Sequence, residues 1–188
     1  MITSGDAQDA LLSVAQVERR TRLAGAYSHI SGHLLLAGIA WVISYTAIGV
    51  LPVAYWSLVT VPAAAAAVIG NFLLSRRTAG IGDPAGRNGT AARTLWLTAA
   101  CVAFIATTDL LFSPASLTSY LAFPALVMAF VYALIGGLGL MPRFLWIGAA
   151  IFAVTIAGLL LTPEAIAFWI AAGGGGGLVL GGLWLRKA

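Results

Sequence analysis

The sequence predicts an all-α polytopic membrane protein, a bundle of six transmembrane helices. Three observations support this fold class. Hydrophobic residues make up 61% of the 188-residue chain and charged residues only 9%, whereas a soluble domain carries roughly a quarter charged residues. Six apolar stretches are each close to the ~20 residues that cross a bilayer. All 10 Lys and Arg residues can be placed on one side of the membrane, as the positive-inside rule requires.

The first predicted element is an amphipathic helix over residues 6–24 that lies at the membrane interface. Its apolar stripe consists of Ala10, Leu11, Val14, Val17 and Leu23. A helix that docks a cytoplasmic partner protein is the alternative interpretation. The first apolar run begins only near Leu34, too late for a signal peptide. We therefore expect a retained, cytoplasmic N-terminus.

A six-span transmembrane domain is predicted over residues 25–188. Its spans lie at about 31–51, 54–75, 94–112, 118–141, 144–161 and 165–185. The outer connections contain no Lys or Arg, whereas the inner loop 76–93 and the inner turn at 141–143 contain Arg. This charge bias places both termini in the cytoplasm. Nine of the ten basic residues are Arg, and Ala and Gly abound, which suggests a GC-rich bacterial genome and hence a bacterial inner (plasma) membrane. The glycines of loop 76–93 have the wrong spacing for a phosphate-binding motif, which favours a flexible linker.

The spans group into three parallel two-helix hairpins with similar outer turns. In each hairpin a second interrupting residue follows the first by ten positions: Pro52 and Pro62, Pro114 and Pro124, Pro163 and Gly173. Ten residues correspond to ~15 Å, which is about mid-bilayer. Interruptions at corresponding positions of repeats are typical of transporter binding sites. Simple bending of the helices for packing is the alternative.

The repeat pattern predicts a substrate site at mid-depth among spans two, four and six. Its expected residues are Thr60, Pro62, Tyr120, Phe123, Pro124, Trp169 and Gly173. None of them is charged, so we expect the solute to be small and largely uncharged or apolar.

Small residues recur at every fourth position of the last span. Gly173, Gly177 and Gly181 form a glycine-zipper stripe, and small residues at this spacing let helix backbones approach closely. The stripe is expected to pack within the chain or, alternatively, at the interface of a homo-oligomer. In either case Gly177→Leu is expected to disrupt assembly.

Few ionisable groups other than Lys and Arg lie near the spans. His29 and His33 are one helical turn apart, but two ligands from one helix are an incomplete site. They are weak metal candidates, and we predict no metal or cofactor. Asp109 and Glu164 are expected at the outer surface, where they either mark helix ends or form a cation-concentrating vestibule. Thr162, Pro163 and Glu164 suit the N-cap, N1 and acidic first turn of the last span.

The sequence argues against catalysis and against nucleic-acid binding. It has no GxSxG or HExxH motif and no acidic cluster. Its Arg residues flank apolar segments, so anionic lipids of the inner leaflet are the expected partners. The favoured function is transporter-like or channel-like: the protein binds or passes a small, uncharged or apolar solute. The alternative is a non-transporting sensor, regulatory or assembly subunit that acts through residues 6–24.

Overall fold

A computed structural model describes residues 4–78, 104, 107–108 and 116–187. This part of the chain consists of helices joined by short turns. Its first four α-helices are α1 (Ser4–Val50), α2 (Trp56–Thr78), α3 (Leu117–Gly137) and α4 (Arg143–Leu161). The rest of the fold is the last span, Pro163–Arg186, and a 3-10 turn at Val53–Tyr55 before α2.

Five helices of the described part are long and apolar enough to cross a membrane. This confirms the predicted all-helical class and agrees with a membrane location. The predicted third span, 94–112, lies outside the described residues apart from Phe104, Thr107 and Thr108, which are helical. The same holds for most of the inner loop 76–93, so the sixth span and the three repeats stay predictions.

Helix α1 is continuous over 47 residues. A helix of that length extends to roughly 70 Å, more than twice the ~30 Å hydrocarbon thickness. Residues 6–24, which the sequence suggested as a separate interfacial helix, therefore continue the first span without a break. Part of α1 has to lie outside the hydrocarbon.

The last span changes its helical geometry along its length. A 3-10 turn at Pro163–Ala165 leads into α5 (Ile166–Ile170), then a π-helical segment at Ala171–Gly176, then α6 (Gly177–Arg186). A π segment widens the helix by one residue per turn and marks a local departure from regular α geometry. The π-helical segment contains four of the five consecutive glycines at 173–177.

The last span lies antiparallel to α1 at very short range. A Cβ placed on Gly175 would be 2.7 Å from the backbone nitrogen of Val42, and one on Gly182 would be 2.9 Å from the carbonyl oxygen of Ser31. A Cβ on Gly38 would likewise lie 2.8 Å from the carbonyl oxygen of Gly175. These glycines bring the two backbones together, because only hydrogen atoms separate them.

A second glycine face of the last span packs on α4. This face is the predicted stripe, whose hypothetical Cβ atoms would meet α4 side chains: Gly173 meets Val154, Gly177 meets Ile151 and Gly181 meets Ile147. The stripe therefore packs within the chain, which is the first of the two arrangements expected from the sequence. At Gly177 the nearest atom is 3.3 Å away, so this position has more room than its neighbours.

Helices α3 and α4 form a tight hairpin. A Cβ on Gly148 would lie 2.6 Å from the carbonyl oxygen of Ala129. Helix α3 ends at Gly137, four residues before the predicted end at 141, because Gly139 turns the chain with a φ of 71°. Glycine adopts this left-handed conformation at little cost, and it commonly ends helices.

Helix α2 lies at the edge of the bundle and packs on α1. No residue is buried in the apolar stretch of 18 residues that qualifies this helix as a possible membrane span. A hydrogen bond of 2.7 Å between His33 Nδ1 and Asn71 Oδ1 ties it to α1. Such polar contacts between helices are worth about 0.6 to 2 kcal/mol in a membrane.

Basic side chains that the structure describes lie at one end of the bundle, which we call the basic end: Arg76, Arg143, Arg186 and Lys187. Arg143 at the start of α4 donates to the carbonyl oxygen of Trp184 near the end of the last span, at 3.2 Å. Arg76 lies in the last turn of α2, which runs antiparallel to α1, and Arg186 ends α6. Pro52 and Pro163 mark the opposite end, the proline end. The placement of Arg76, Arg143 and Arg186 at one end agrees with the charge pattern, and the sidedness of the other Arg residues stays a prediction.

Candidate functional site

A groove of about 490 Å³ opens among α1, α2 and α3, from the proline end to the middle of the bundle. We call it the aromatic groove. Its lining residues are Ala37, Ala40, Trp41, Ser44, Tyr45, Ile48, Trp56, Thr60, Ala64, Ala67, Val68, Tyr120, Leu121 and Pro124. The volume falls within the range of about 300–1,000 Å³ that is typical of small-molecule sites.

One face of α1 forms the floor of the aromatic groove. Trp41, Tyr45 and Ile48 are spaced four and three residues apart, so they share one side of the helix. The Trp41 and Tyr45 rings lie 5.5 Å apart, centroid to centroid, at 48°. This geometry is within the favourable range for aromatic pairs.

The Tyr45 hydroxyl joins the floor to α3. It donates a hydrogen bond of 3.1 Å to the carbonyl oxygen of Leu121. Pro124 lies inside α3, and a proline within a helix removes the hydrogen bond to the carbonyl four residues earlier, that of Tyr120. Pro124 therefore leaves the Tyr120 carbonyl without its helical hydrogen bond, and Tyr45 donates to the carbonyl of the next residue, Leu121.

Helix α2 leaves room for the groove because it presents small side chains to it. Ala64 and Ala67 line the cavity beside Thr60, one turn apart on the same face. Trp56 lies at the proline end of the groove, where its indole nitrogen donates to the carbonyl oxygen of Leu51 at 2.9 Å. The alanines create the space and the tryptophan bounds it.

The groove combines apolar walls with a few free hydroxyl groups. Ser44, Thr60 and Tyr120 contribute hydroxyls that make no hydrogen bond to any other described residue. No Asp, Glu, Lys or Arg is among the described lining residues. Sites of this kind bind apolar ligands through their walls and orient them through a few polar groups. A charged ligand would lose its hydration here without gaining a partner.

Three predicted site residues line the aromatic groove: Thr60, Tyr120 and Pro124. Two others lie on the same helices but outside its lining. Pro62 is exposed on α2, and Phe123 is half-buried on α3.

The remaining two predicted site residues lie elsewhere in the bundle. Trp169 packs against α4, since a Cβ on Gly158 would be 2.5 Å from its ring, and its indole nitrogen donates to the Thr162 hydroxyl at 2.7 Å. Gly173 is buried against Val154 of α4. In the structure the last span therefore does not complete the cavity, and α1 takes the place expected for it.

Of the two residues predicted to form the outer vestibule, Asp109 and Glu164, the structure describes Glu164. Glu164 is exposed in the first turn of the last span, at the proline end. Pro163 has the expected first position of that turn, but Thr162 makes no capping hydrogen bond, because its hydroxyl accepts from Trp169. Asp109 lies outside the described residues, so the vestibule stays a prediction.

The histidines give the described part of the chain no metal site. His33 Nδ1 is bonded to Asn71, and the side chain of His29 lies outside the described atoms. Within the described ranges no three His, Cys, Asp or Glu side chains come together as a group that could hold a metal ion.

Sequence reasoning missed the contribution of α1 to the groove. The signal was present as an aromatic and aliphatic stripe at Trp41, Tyr45 and Ile48 with Ser44 beside it. The prediction instead took the site residues from the spacing of prolines and glycines in the hairpins, which has no counterpart within the first span. No protein-family model, curated protein or solved structure matches the chain.

Proposed function

We propose that the protein is a multi-pass membrane protein that binds a small, uncharged or apolar solute in the aromatic groove and passes it along the bundle. The observation that carries this proposal is the combination of volume, apolar walls and free hydroxyls. The groove of about 490 Å³ holds Ser44, Thr60 and Tyr120 in an otherwise apolar lining without a charged side chain. We assign no catalytic reaction to it.

The course of the described helices supports six crossings. Helix α2 ends at the basic end, whereas α3 begins at the proline end, where Tyr45 of α1 meets Leu121. These positions leave room for one further crossing between α2 and α3, and we propose that the span predicted at 94–112 makes it. With the basic end in the cytoplasm of a bacterium, both termini lie inside.

The helix interruptions support a moving element at mid-depth. Pro62 and Pro124 lie inside α2 and α3, and the last span is π-helical over Ala171–Gly176. Broken helical geometry at membrane depth is common where transporters bind their substrates. The proposal therefore places solute movement beside Pro124, which lines the aromatic groove.

Filling the groove is expected to weaken binding strongly. Ala64→Phe adds a ring to the lining of the aromatic groove, so the volume available to a solute shrinks. The measurement is quenching of tryptophan fluorescence by 4-bromophenol, an uncharged probe, with the full chain in lipid nanodiscs. We expect a saturable component from Trp41 and Trp56, and a loss of about tenfold or more in affinity in the variant.

Ala66→Phe is the matched control for this experiment. Ala66 is exposed and lies roughly 200° around α2 from Ala64, so the same ring faces away from the groove. It is expected to bind the probe like the wild-type chain. Quenching without saturation in the wild-type chain, or an equal loss in both variants, would rule out the aromatic groove as the binding site.

A regulatory or assembly subunit is the second candidate function, and one observation favours it. Leu12, Val14 and Val17 on α1 are each 63% exposed. Val17→Glu is expected to weaken association with a partner protein in chemical cross-linking of whole cells, whereas Gln16→Glu, which adds the same charge at an exposed neighbour, is expected to retain it. Unchanged cross-links in the Val17 variant, with 4-bromophenol still bound, would exclude this candidate.

A further inference from the structure

We propose that a second groove, at the basic end, is a binding site for one anionic phospholipid. The groove measures about 480 Å³ and lies between α1 and α2. Its walls are aliphatic, with Leu35, Ile39 and Leu73 among them, and Arg186 lies at its border. We call it the lipid groove. This inference requires the membrane location but is independent of solute binding in the aromatic groove.

Each helix lines the lipid groove with one glycine, and each glycine faces a leucine of the other helix. A Cβ on Gly32 would be 3.2 Å from Leu74 Cδ1, and a Cβ on Gly70 would be 2.9 Å from Leu36 Cδ1. The residues that follow these glycines are His33 and Asn71, which hold the two helices together by their 2.7 Å hydrogen bond. The cleft is therefore a built feature of the α1–α2 pair.

The last span carries Arg186 to the border of this cleft. A Cβ placed on Gly182 would lie 2.9 Å from the carbonyl oxygen of Ser31, so the last span packs closely on α1 at this point. Arg186 is one helical turn further along, so its side chain emerges on the same face, beside α1. It is exposed and makes no ion pair or hydrogen bond to another described residue. An unpaired guanidinium at this position is suited to a lipid phosphate.

The shape and depth of the groove favour a lipid over other occupants. From Gly32 to Ile39 the helix rises about 10 Å, which covers much of the ~15 Å of one leaflet. A cation at the membrane-surface end and aliphatic walls below it match a phosphate headgroup followed by an acyl chain. The groove lies on the opposite side of α1 from Trp41 and Ser44, so the two sites do not overlap.

Native mass spectrometry of the full chain in a non-ionic detergent tests this assignment. Dioleoylphosphatidylglycerol and dioleoylphosphatidylcholine are titrated in parallel, and we expect one preferred adduct with the anionic lipid. Arg186→Gln is expected to weaken that adduct about fivefold, as the loss of one exposed ion pair of about 1 kcal/mol predicts, and to leave phosphatidylcholine binding unchanged. In detergent no membrane surface potential acts, so only a charge in contact with the headgroup counts.

Lys187→Gln is the matched control, because Lys187 is a neighbouring exposed cation that does not line the groove. It is expected to change the affinity less than twofold by the same scale. Inorganic phosphate, added as a competitor, is expected not to displace the lipid. Equal binding of both lipids, equal loss in the two variants, displacement by phosphate, or a protein dimer that excludes the lipid would each overturn the proposal.

Discussion

Gly175→Ala is expected to destabilise the bundle strongly, whereas Gly176→Ala at the next residue is expected to be neutral or stabilising. At Gly175 the new Cβ would lie 2.7 Å from the Val42 backbone nitrogen and 3.0 Å from the Gly38 carbonyl oxygen. Backbone atoms cannot rotate away, so α1 and the last span have to separate. Overpacking of this kind costs about 1–3 kcal/mol or more.

Gly176 offers the matched control because the local chemistry is the same. The atom nearest to its hypothetical Cβ is the Ala171 carbonyl oxygen at 3.8 Å, an ordinary contact, and its φ of −61° suits any residue. Alanine there is expected to add up to about 1 kcal/mol through helix propensity. Thermal unfolding of the two purified variants in detergent checks this. If Gly175→Ala melts at or above the temperature of Gly176→Ala, the close α1 contact is wrong.

The glycine contacts show where sequence periodicity is sufficient and where it is not. Spacing by four residues singled out Gly173, Gly177 and Gly181, and these residues share one face, against α4. The same spacing gave no indication that Gly175 and Gly182 form another face against α1. A run of five glycines is small on every side, so its sequence cannot say which helix approaches which face. The partner's own glycine, Gly38, is isolated in sequence and becomes informative only in the packed structure.

The candidate site was predictable in part for a similar physical reason. Prolines inside helices are visible in sequence, and Pro124 does lie beside the aromatic groove with Thr60 and Tyr120. The order in which helices pack is a long-range property that proline spacing does not report. The last span therefore contacts α4 through Trp169, whereas α1 supplies the floor through Trp41 and Tyr45.

Local rules for helix ends were also modified by tertiary contacts. Thr162 precedes Pro163 and Glu164 as an N-cap residue should, yet its hydroxyl accepts from the Trp169 indole. That bond spans two turns of the last span, and sequence neighbours do not announce it. Helix α3 ended early for a purely local reason, the positive φ of Gly139, which sequence analysis can detect when a glycine follows an apolar run.

Arg143→Ala is expected to loosen the basic end of the bundle by about 2 kcal/mol. The Arg143 guanidinium lies 5.4 Å from the Tyr27 ring centroid and 5.0 Å from the Trp184 ring centroid, and it donates to the Trp184 carbonyl oxygen at 3.2 Å. One side chain therefore connects α1, α4 and the last span. It also satisfies a carbonyl at a helix C-terminus, where a cation is favourable.

Two further variants separate these contacts from the charge itself. Arg143→Lys keeps the positive charge that orients the α3–α4 turn, but an ammonium group loses the planar stacking and the fixed donor geometry; we expect an intermediate loss of stability. Lys187→Ala removes a charge from the same end without a ring contact, and we expect little change. The measurement is thermal unfolding of the purified variants in detergent. If Lys187→Ala and Arg143→Ala lower the melting temperature equally, net charge rather than the Arg143 contacts stabilises this end.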